Sequence, residues 1–328
     1  MRKLIAAMAM MACTALISSS AQAADKLRVG YWTSGVSLGY GAVLEAKEFL
    51  AKRGVDAQFI HFPDVNAPLR ALAAGSIDLA FGAPLAGVYS AAAEGVPVKI
   101  FVATQPADVQ FVVLADSPIT SLADLKGKKI GMSPAGSSVA VIAGSILAGN
   151  YGIKAADFSL VGGNEGRLAQ FLAAKQVDAA ALRSVTIEQL GDEVKLRTIG
   201  RFPEEWKKLT KSDAAPFNGV GAVSTKLVEE HPETVAKVIA ALRDALVWGA
   251  AHKDEVAVIL TQKANLPEKD AKSYAGLWNA MYRVAFEPAD IDTLKRQHQV
   301  FLDAGQIKGA LKEDIFVTKP YQQSKTLK

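Results

Sequence analysis

The sequence predicts an α/β protein of doubly wound type, and three observations predict it. Short apolar runs alternate with helical runs from about residue 27 to 104. The alternation restarts near Gln105 and continues to about 199. One helix–turn–strand unit also occurs twice: Leu72-Ala-Ala-Gly-Ser-Ile-Asp78-Leu-Ala80 returns 100 residues on as Leu172-Ala-Ala-Lys-Gln-Val-Asp178-Ala-Ala180. Strand–helix alternation builds parallel sheets covered by helices. Two copies at so long a period do not make a solenoid. They fit two related α/β domains, or a chance likeness between two common units.

The first residues stand apart from this pattern. Arg2-Lys3 precede an apolar run over 4–17 and a small-x-small site, Ala21-Gln22-Ala23. This reads as a secretory signal peptide over 1–23, excluded from the fold. The apolar run is too short for a membrane span, and no later run reaches the ~18 residues a span needs. The only cysteine, Cys13, falls inside this segment on an incomplete lipidation pattern. The mature chain would therefore have no disulfide, no thiolate metal site and no cysteine nucleophile. The remaining residues, about 305 of the 328, suffice for two domains with sizeable cores. The formal net charge of +4 includes Arg2 and Lys3, and no basic block stands out, so nucleic-acid binding is not expected.

The elements follow in order. Residues 27–31 form an apolar strand, 32–37 a polar turn, and 41–52 an amphipathic helix closed by Gly54. A strand over 55–62 leads to a helix over 67–74, with Asp64 or Asn66 as its cap and Gly75 as its stop. Strand 77–81, the turn Gly82-Ala83-Pro84, helix 85–93 and strand 98–104 complete the first set. Strand 109–115 opens the second, with Ser121 and Asp124 close to a capping box on a short helix. Strand 129–132 turns through Ser133-Pro134-Ala135-Gly136-Ser137-Ser138 into helix 139–147. Strand 158–161, the turn Gly162-Gly163-Asn164, helix 165–175, strand 177–182, a loop over 183–186, a helix over 187–191 and strand 194–199 follow. A further strand over 218–223 precedes helices at 231–252, 254–262, 267–282 and 289–304, and a loosely ordered lysine-rich tail.

The turn after strand 129–132 carries the chemistry. The first N–H groups of a helix have no intrahelical partner and the macrodipole is positive there, so an N-terminus flanked by serines attracts anions. Ser-Ser before an apolar helix is also an ordinary N-cap, and from this stretch alone both readings stand. Other candidates read blandly. Asp78 and Asp178 suit turn or capping roles. His61, His231, His252 and His298 show no metal spacing. Trp248, Trp278 and Tyr282 fit a helical core, Gly82, Gly87 and Gly95 make no dinucleotide fingerprint, and no Gly-x-Ser-x-Gly elbow occurs. No metal and no cofactor are expected.

Taken together, Leu27-Arg-Val-Gly-Tyr31, the run from Leu72 to Pro84, Leu122-Ala-Asp-Leu-Lys-Gly-Lys-Lys-Ile-Gly131, Tyr151-Gly-Ile153, Val177-Asp-Ala-Ala180 and His231-Pro-Glu-Thr-Val235 resemble periplasmic substrate-binding proteins of ABC importers. The resemblance is to the nitrate/sulfonate/taurine type, a family that also includes binders of thiamine pyrimidine precursors. It covers nearly the whole mature chain. It implies a two-lobe, type II clamshell with two crossovers, near 104–105 and 214–218. The first lobe would be 25–104 plus 217–328 and the second 105–216. It also implies a periplasmic, monomeric protein that closes on a small organic anion, sulfonate-, taurine- or carboxylate-like, docks on an inner-membrane permease and performs no chemistry. An enzyme on the same fold and a ligand-sensing subunit are the alternatives.

Open α/β sheets bind ligands at strand C-termini. That rule selects Trp32, Thr33, Ser34, Ser37, Gly82, Ala83, Pro84, Thr104 and Gln105 in the first lobe, with Asn218 at the second crossover. In the second lobe it selects Ser133, Gly136, Ser137, Ser138, Asn164, Arg183 and Ser184. Relatives often carry Trp, an acidic or small residue, and Pro at the last of these exits, where this chain has Arg183-Ser184-Val185. An arginine facing the cleft would clamp an acid group bidentately. A surface arginine or an inter-lobe salt bridge is the other reading. On the clamp reading, Arg183→Ala should cost affinity and leave the melting temperature nearly unchanged.

Overall fold

A computed structural model describes residues 26–191 and 193–327. The expected signal peptide and Cys13 lie outside them. The chain begins with β1 (Leu27–Trp32), α1 (Gly35–Ala46), α2 (Phe49–Lys52), β2 (Ala57–Phe62), α3 (Ala67–Ala73), β3 (Leu79–Pro84), α4 (Leu85–Ala93) and β4 (Val98–Pro106). It crosses into β5 (Val109–Leu114), β6 (Lys129–Met132), α5 (Ser138–Tyr151), β7 (Ser159–Gly162), α6 (Glu165–Ala173), β8 (Ala179–Arg183), α7 (Ser184–Leu190), β9 (Leu196–Arg201) and α8 (Phe202–Thr210). It returns through β10 (Phe217–Ser224) to α9 (Thr225–Glu230), α10 (Pro232–Ala251), α11 (Lys253–Lys263), α12 (Glu268–Gly276), α13 (Trp278–Met281), α14 (Pro288–Asp303) and α15 (Thr318–Ser324).

Two five-stranded sheets result, ordered β2-β1-β3-β10-β4 and β7-β6-β8-β5-β9. In the first, β1 runs parallel to β2 and β3, and β10 lies antiparallel between β3 and β4. In the second, β6 runs parallel to β7 and β8, and β5 lies antiparallel between β8 and β9. The antiparallel strand of each sheet is the one that follows a crossover. The two connecting segments meet, because Ala107 N donates to Pro216 O at 2.8 Å.

The sequence echo has a structural counterpart. Asp78 N donates to Arg28 O, and its carboxylate takes Arg28 N at 2.9 Å. Asp178 N donates to Lys129 O, and its carboxylate takes Lys129 N at 2.7 Å. Each aspartate pins the start of the central parallel strand beside it, which satisfies a backbone donor the ladder leaves open.

The helices that follow β10 pack on the first sheet. Tyr40 stacks on Tyr282 with centroids 4.9 Å apart, and its hydroxyl donates to Leu242 O. Trp206 of α8 meets Phe301 of α14 edge-on at 6.2 Å, so this helical layer also touches the second lobe.

Several local expectations need correction. The first helix starts at Gly35, not 41, with the Tyr274 and Tyr282 hydroxyls donating to Gly35 O and Val36 O. Those partners are some 240 residues away and leave no local signal. The chain then turns at Glu48, whose φ is 54°. The helix expected over 267–282 breaks at Leu277, which lets the Trp278 indole donate to Leu246 O at 3.0 Å. The loop expected over 183–186 is already helical from Ser184. The stretch 202–210, not assigned from sequence, is a helix with Pro203 in its first turn and Glu204 and Glu205 there too, where they complement the dipole. The tail is docked, with Tyr321 buried against Phe286.

Candidate functional site

The C-terminal ends of β3, β6 and β8, the C-terminal end of β4 and the start of β10 face one another across the gap between the sheets. A small cavity there is lined by Trp32, Val65, Gly82, Pro84, Gln105 and Asn218 from the first sheet and its loops, and by Ser137, Ser138, Val139 and Arg183 from the second. It encloses about 10 Å³, room for about one water molecule. Side chains of both lobes meet around it.

Two helices aim their N-termini into this space, one from each lobe. Ser137 caps α5, its Oγ accepting from Ala140 N at 3.3 Å. Pro84 precedes α4 and offers no capping side chain. Ala86 N of α4 instead donates to Ser138 Oγ at 3.2 Å, across the gap. Asn66 Nδ2 to Ala135 O at 3.4 Å and Lys269 Nζ to Glu193 Oε1 at 3.5 Å hold other points of the rim.

Gly82 sits in the left-handed region at φ 66°. A Cβ there would come within 2.5 Å of both Gln105 Nε2 and Ser37 Oγ. Those two groups are themselves bonded at 2.9 Å, so the neutral wall of the first lobe is built on a close backbone approach.

The second lobe's wall is charged. Arg183 faces the cavity with a buried side chain. It is neither a surface arginine nor an inter-lobe salt bridge, and one end of its guanidinium, Nη1, is already taken. Its Nη1 donates to Glu165 Oε1 in the same lobe, with both side chains under one-tenth exposed. Glu165 Oε2 also accepts from Thr186 Oγ1 at 3.0 Å and Arg183 N at 3.4 Å. The guanidinium carbon lies 5.4 Å from the Trp32 ring centroid, a cation–π contact between lobes. Arg183 Nε has no partner, and neither does Asn218 Oδ1. Against the expectation that removing Arg183 leaves the melting temperature nearly unchanged, this pairing argues for a loss of stability, since Glu165 would be stranded. Tyr274 lies near this pair. Burial pushes its phenol well above the ordinary value, with Glu165 adding to the rise and Arg183 opposing it, so it remains a hydrogen-bond donor to Gly35 O.

Of the residues selected from sequence, Trp32, Gly82, Pro84, Gln105, Ser137, Ser138, Arg183 and Asn218 line the cavity. The others do not border it. Thr33 Oγ1 donates to Phe62 O, and Thr104 Oγ1 donates to Gly219 O. Ser34 precedes α1 without a capping bond, while Asn164 caps α6 by accepting from Arg167 N. Ser37 lies behind the wall on Gln105, and Ala83 pairs with Val220 in the sheet. Ser133 is buried, and Gly136 turns the chain at φ 80°. Ser184 Oγ donates to Asp108 Oδ1 at 2.6 Å, next to the first crossover. Val65, Val139 and Glu165 were not selected. Glu165 follows an N-cap asparagine, where an acidic residue reads as a dipole partner, so nothing local marks it as the counter-ion of a residue 18 positions away.

Two α/β lobes joined by paired connections, with a cleft lined from both, define the fold of the periplasmic binding proteins. The solved structures agree. The aliphatic sulphonate binding protein SsuA of Escherichia coli superposes with TM-score 0.73 at 19% identity, over 89% of this chain and 92% of its own. SsuA of Xanthomonas axonopodis pv. citri, an alkanesulfonate-binding protein bound to MOPS, gives 0.72 at 21% identity, over 88% and 96%. A curated relative from Brucella abortus, described as a binding protein, is 27% identical over 308 residues, 91% of this chain and 92% of its own length. The family profile described as NMT1/THI5 like matches residues 42–256. The chain belongs to the NMT1/THI5-like family.

No helix among the described residues is long and apolar enough to cross a membrane. Among the same residues no group of three or more His, Cys, Asp or Glu side chains is placed to hold a metal ion.

Proposed function

We propose that this protein is the periplasmic solute-binding component of an ABC importer. It captures a small organic anion between its lobes and delivers it to a membrane permease without altering it. One observation carries the reading: the N-termini of α4 and α5 meet at the cavity from opposite lobes, joined through Ala86 N and Ser138 Oγ. An acid group that displaces this bond takes Ala86 N and two positive dipole ends at once. That double contact exists only when the lobes are closed, so the ligand shifts the population toward the closed form. Closure would then be the signal that the permease reads.

The test is native mass spectrometry of the full-length protein purified from a periplasm, followed by calorimetry with whatever solute is released. A low-mass anion that binds reversibly, raises the melting temperature by linkage and is recovered unchanged is the expected result. A cationic solute, or turnover of the bound solute, would overturn the proposal.

A further inference from the structure

The second lobe brings a cation to the cleft and then neutralises it. Glu165 occupies Arg183 Nη1 and is itself fully engaged by Thr186 Oγ1 and Arg183 N. At the cavity two fully buried atoms remain unpartnered, the donor Arg183 Nε and the acceptor Asn218 Oδ1, on opposite walls. Buried polar atoms without partners are costly, and a ligand-binding site is where such atoms are tolerated. A second carboxylate or sulfonate on the ligand would meet an arginine whose charge Glu165 already balances, and would leave Asn218 Oδ1 facing an acceptor. An uncharged group with an acceptor and an N–H satisfies both.

We propose that Glu165 is a specificity-determining residue. By cancelling Arg183, it restricts the far end of the ligand to an uncharged donor–acceptor group such as an amide, received between Arg183 Nε and Asn218 Oδ1. This rests on the anion-binding reading above, in which the acid group of the ligand sits at the α4 and α5 starts. The ligand class is thus a monoanion bearing an amide-like group. Glu165 works as negative selection against dianions rather than as a contact that adds affinity.

Three probes of equal chain length test this by calorimetry on the full-length protein: N-acetylglycine, pentanoate and glutarate. The wild type should bind N-acetylglycine most tightly and glutarate most weakly. Glu165→Gln keeps a carbonyl oxygen for Arg183 but frees its charge, and glutarate should then tighten about tenfold and overtake the amide. Glu165→Gln/Arg183→Gln replaces a neutral pair with a neutral pair and should keep the wild-type ranking. It serves as the deciding comparison if the single variant does not fold. Glutarate binding the wild type as well as N-acetylglycine does, or a ranking unmoved in Glu165→Gln, overturns the role of Glu165 and leaves the anion reading standing. A ranking that inverts in the double variant overturns it as well. Failure of all three probes on every form, together with no co-purifying anion, overturns both.

Discussion

In the first lobe the β3 exit toward the cleft is Gly82-Ala83-Pro84; in the second, 100 residues on, the β8 exit is Leu182-Arg183-Ser184. Behind these exits the lobes share one plan, with matching strand orders and an aspartate pinning the central strand in each. At the exits they diverge. The first lobe presents a neutral wall, Gln105 bonded to Ser37 beneath a left-handed glycine. The second presents a buried charge pair packed against the other lobe's tryptophan. The shared frame carries the fold, and the exits are where two similar half-sites acquire different chemistry.

The largest expected effect breaks the charged half. Arg183→Ala strands Glu165 in a buried site and should lower unfolding free energy by about 3–5 kcal/mol, read by urea denaturation. A loss below about 1 kcal/mol would mean that water reaches Glu165 and that the lobes differ less than described. Next is the glycine of the neutral half. Gly82→Ala imposes a left-handed backbone on a side chain that meets Gln105 and Ser37, and should cost about 2–3 kcal/mol. Gly136→Ala, with an equally positive φ of 80° but nothing within 4 Å of its Cβ, should cost about 1 kcal/mol. Equal losses would remove the claim that only the first lobe uses close approach at its glycine.

The smallest effect compares the frames. Burial pulls the Asp78 carboxyl upward, but hydrogen bonds and charge from Arg28 outweigh it and hold the group below the usual carboxylate value. Its stabilisation is therefore complete above that value and is lost as pH falls through the lower, folded one. Asp78→Ala should cost about 1–2 kcal/mol near neutrality, with the gap to wild type closing below about pH 4. Asp178, which accepts from Lys129 N without a side-chain cation, should cost less when replaced. Melting curves across pH for both variants separate the two aspartates.

The sequence disclosed what is periodic or punctuated. Strand–helix alternation, the repeat around Asp78 and Asp178, and the Ser137 cap all act within a few residues, and all can be seen along the chain. The eight cavity residues selected in advance share one property: they fall at strand exits or at the second crossover, a position the topology dictates. Glu165 escaped because its role exists only once β8 folds beside the α6 start. Asn218 was selected for its place at a crossover, but its unpartnered oxygen depends on what surrounds it. The start of α1 was misplaced because Tyr274 and Tyr282 arrive from the far end of the chain.

The hydrogen bond between Ala107 and Pro216 has a mechanical consequence. Two separate tethers would let the lobes twist, shear and slide against each other. Tethers clasped to one another resist that sliding more than two independent ones would. On the proposed function, a clasp at this point would favour closing strokes that bring Pro84, Ser137 and Arg183 together in one register.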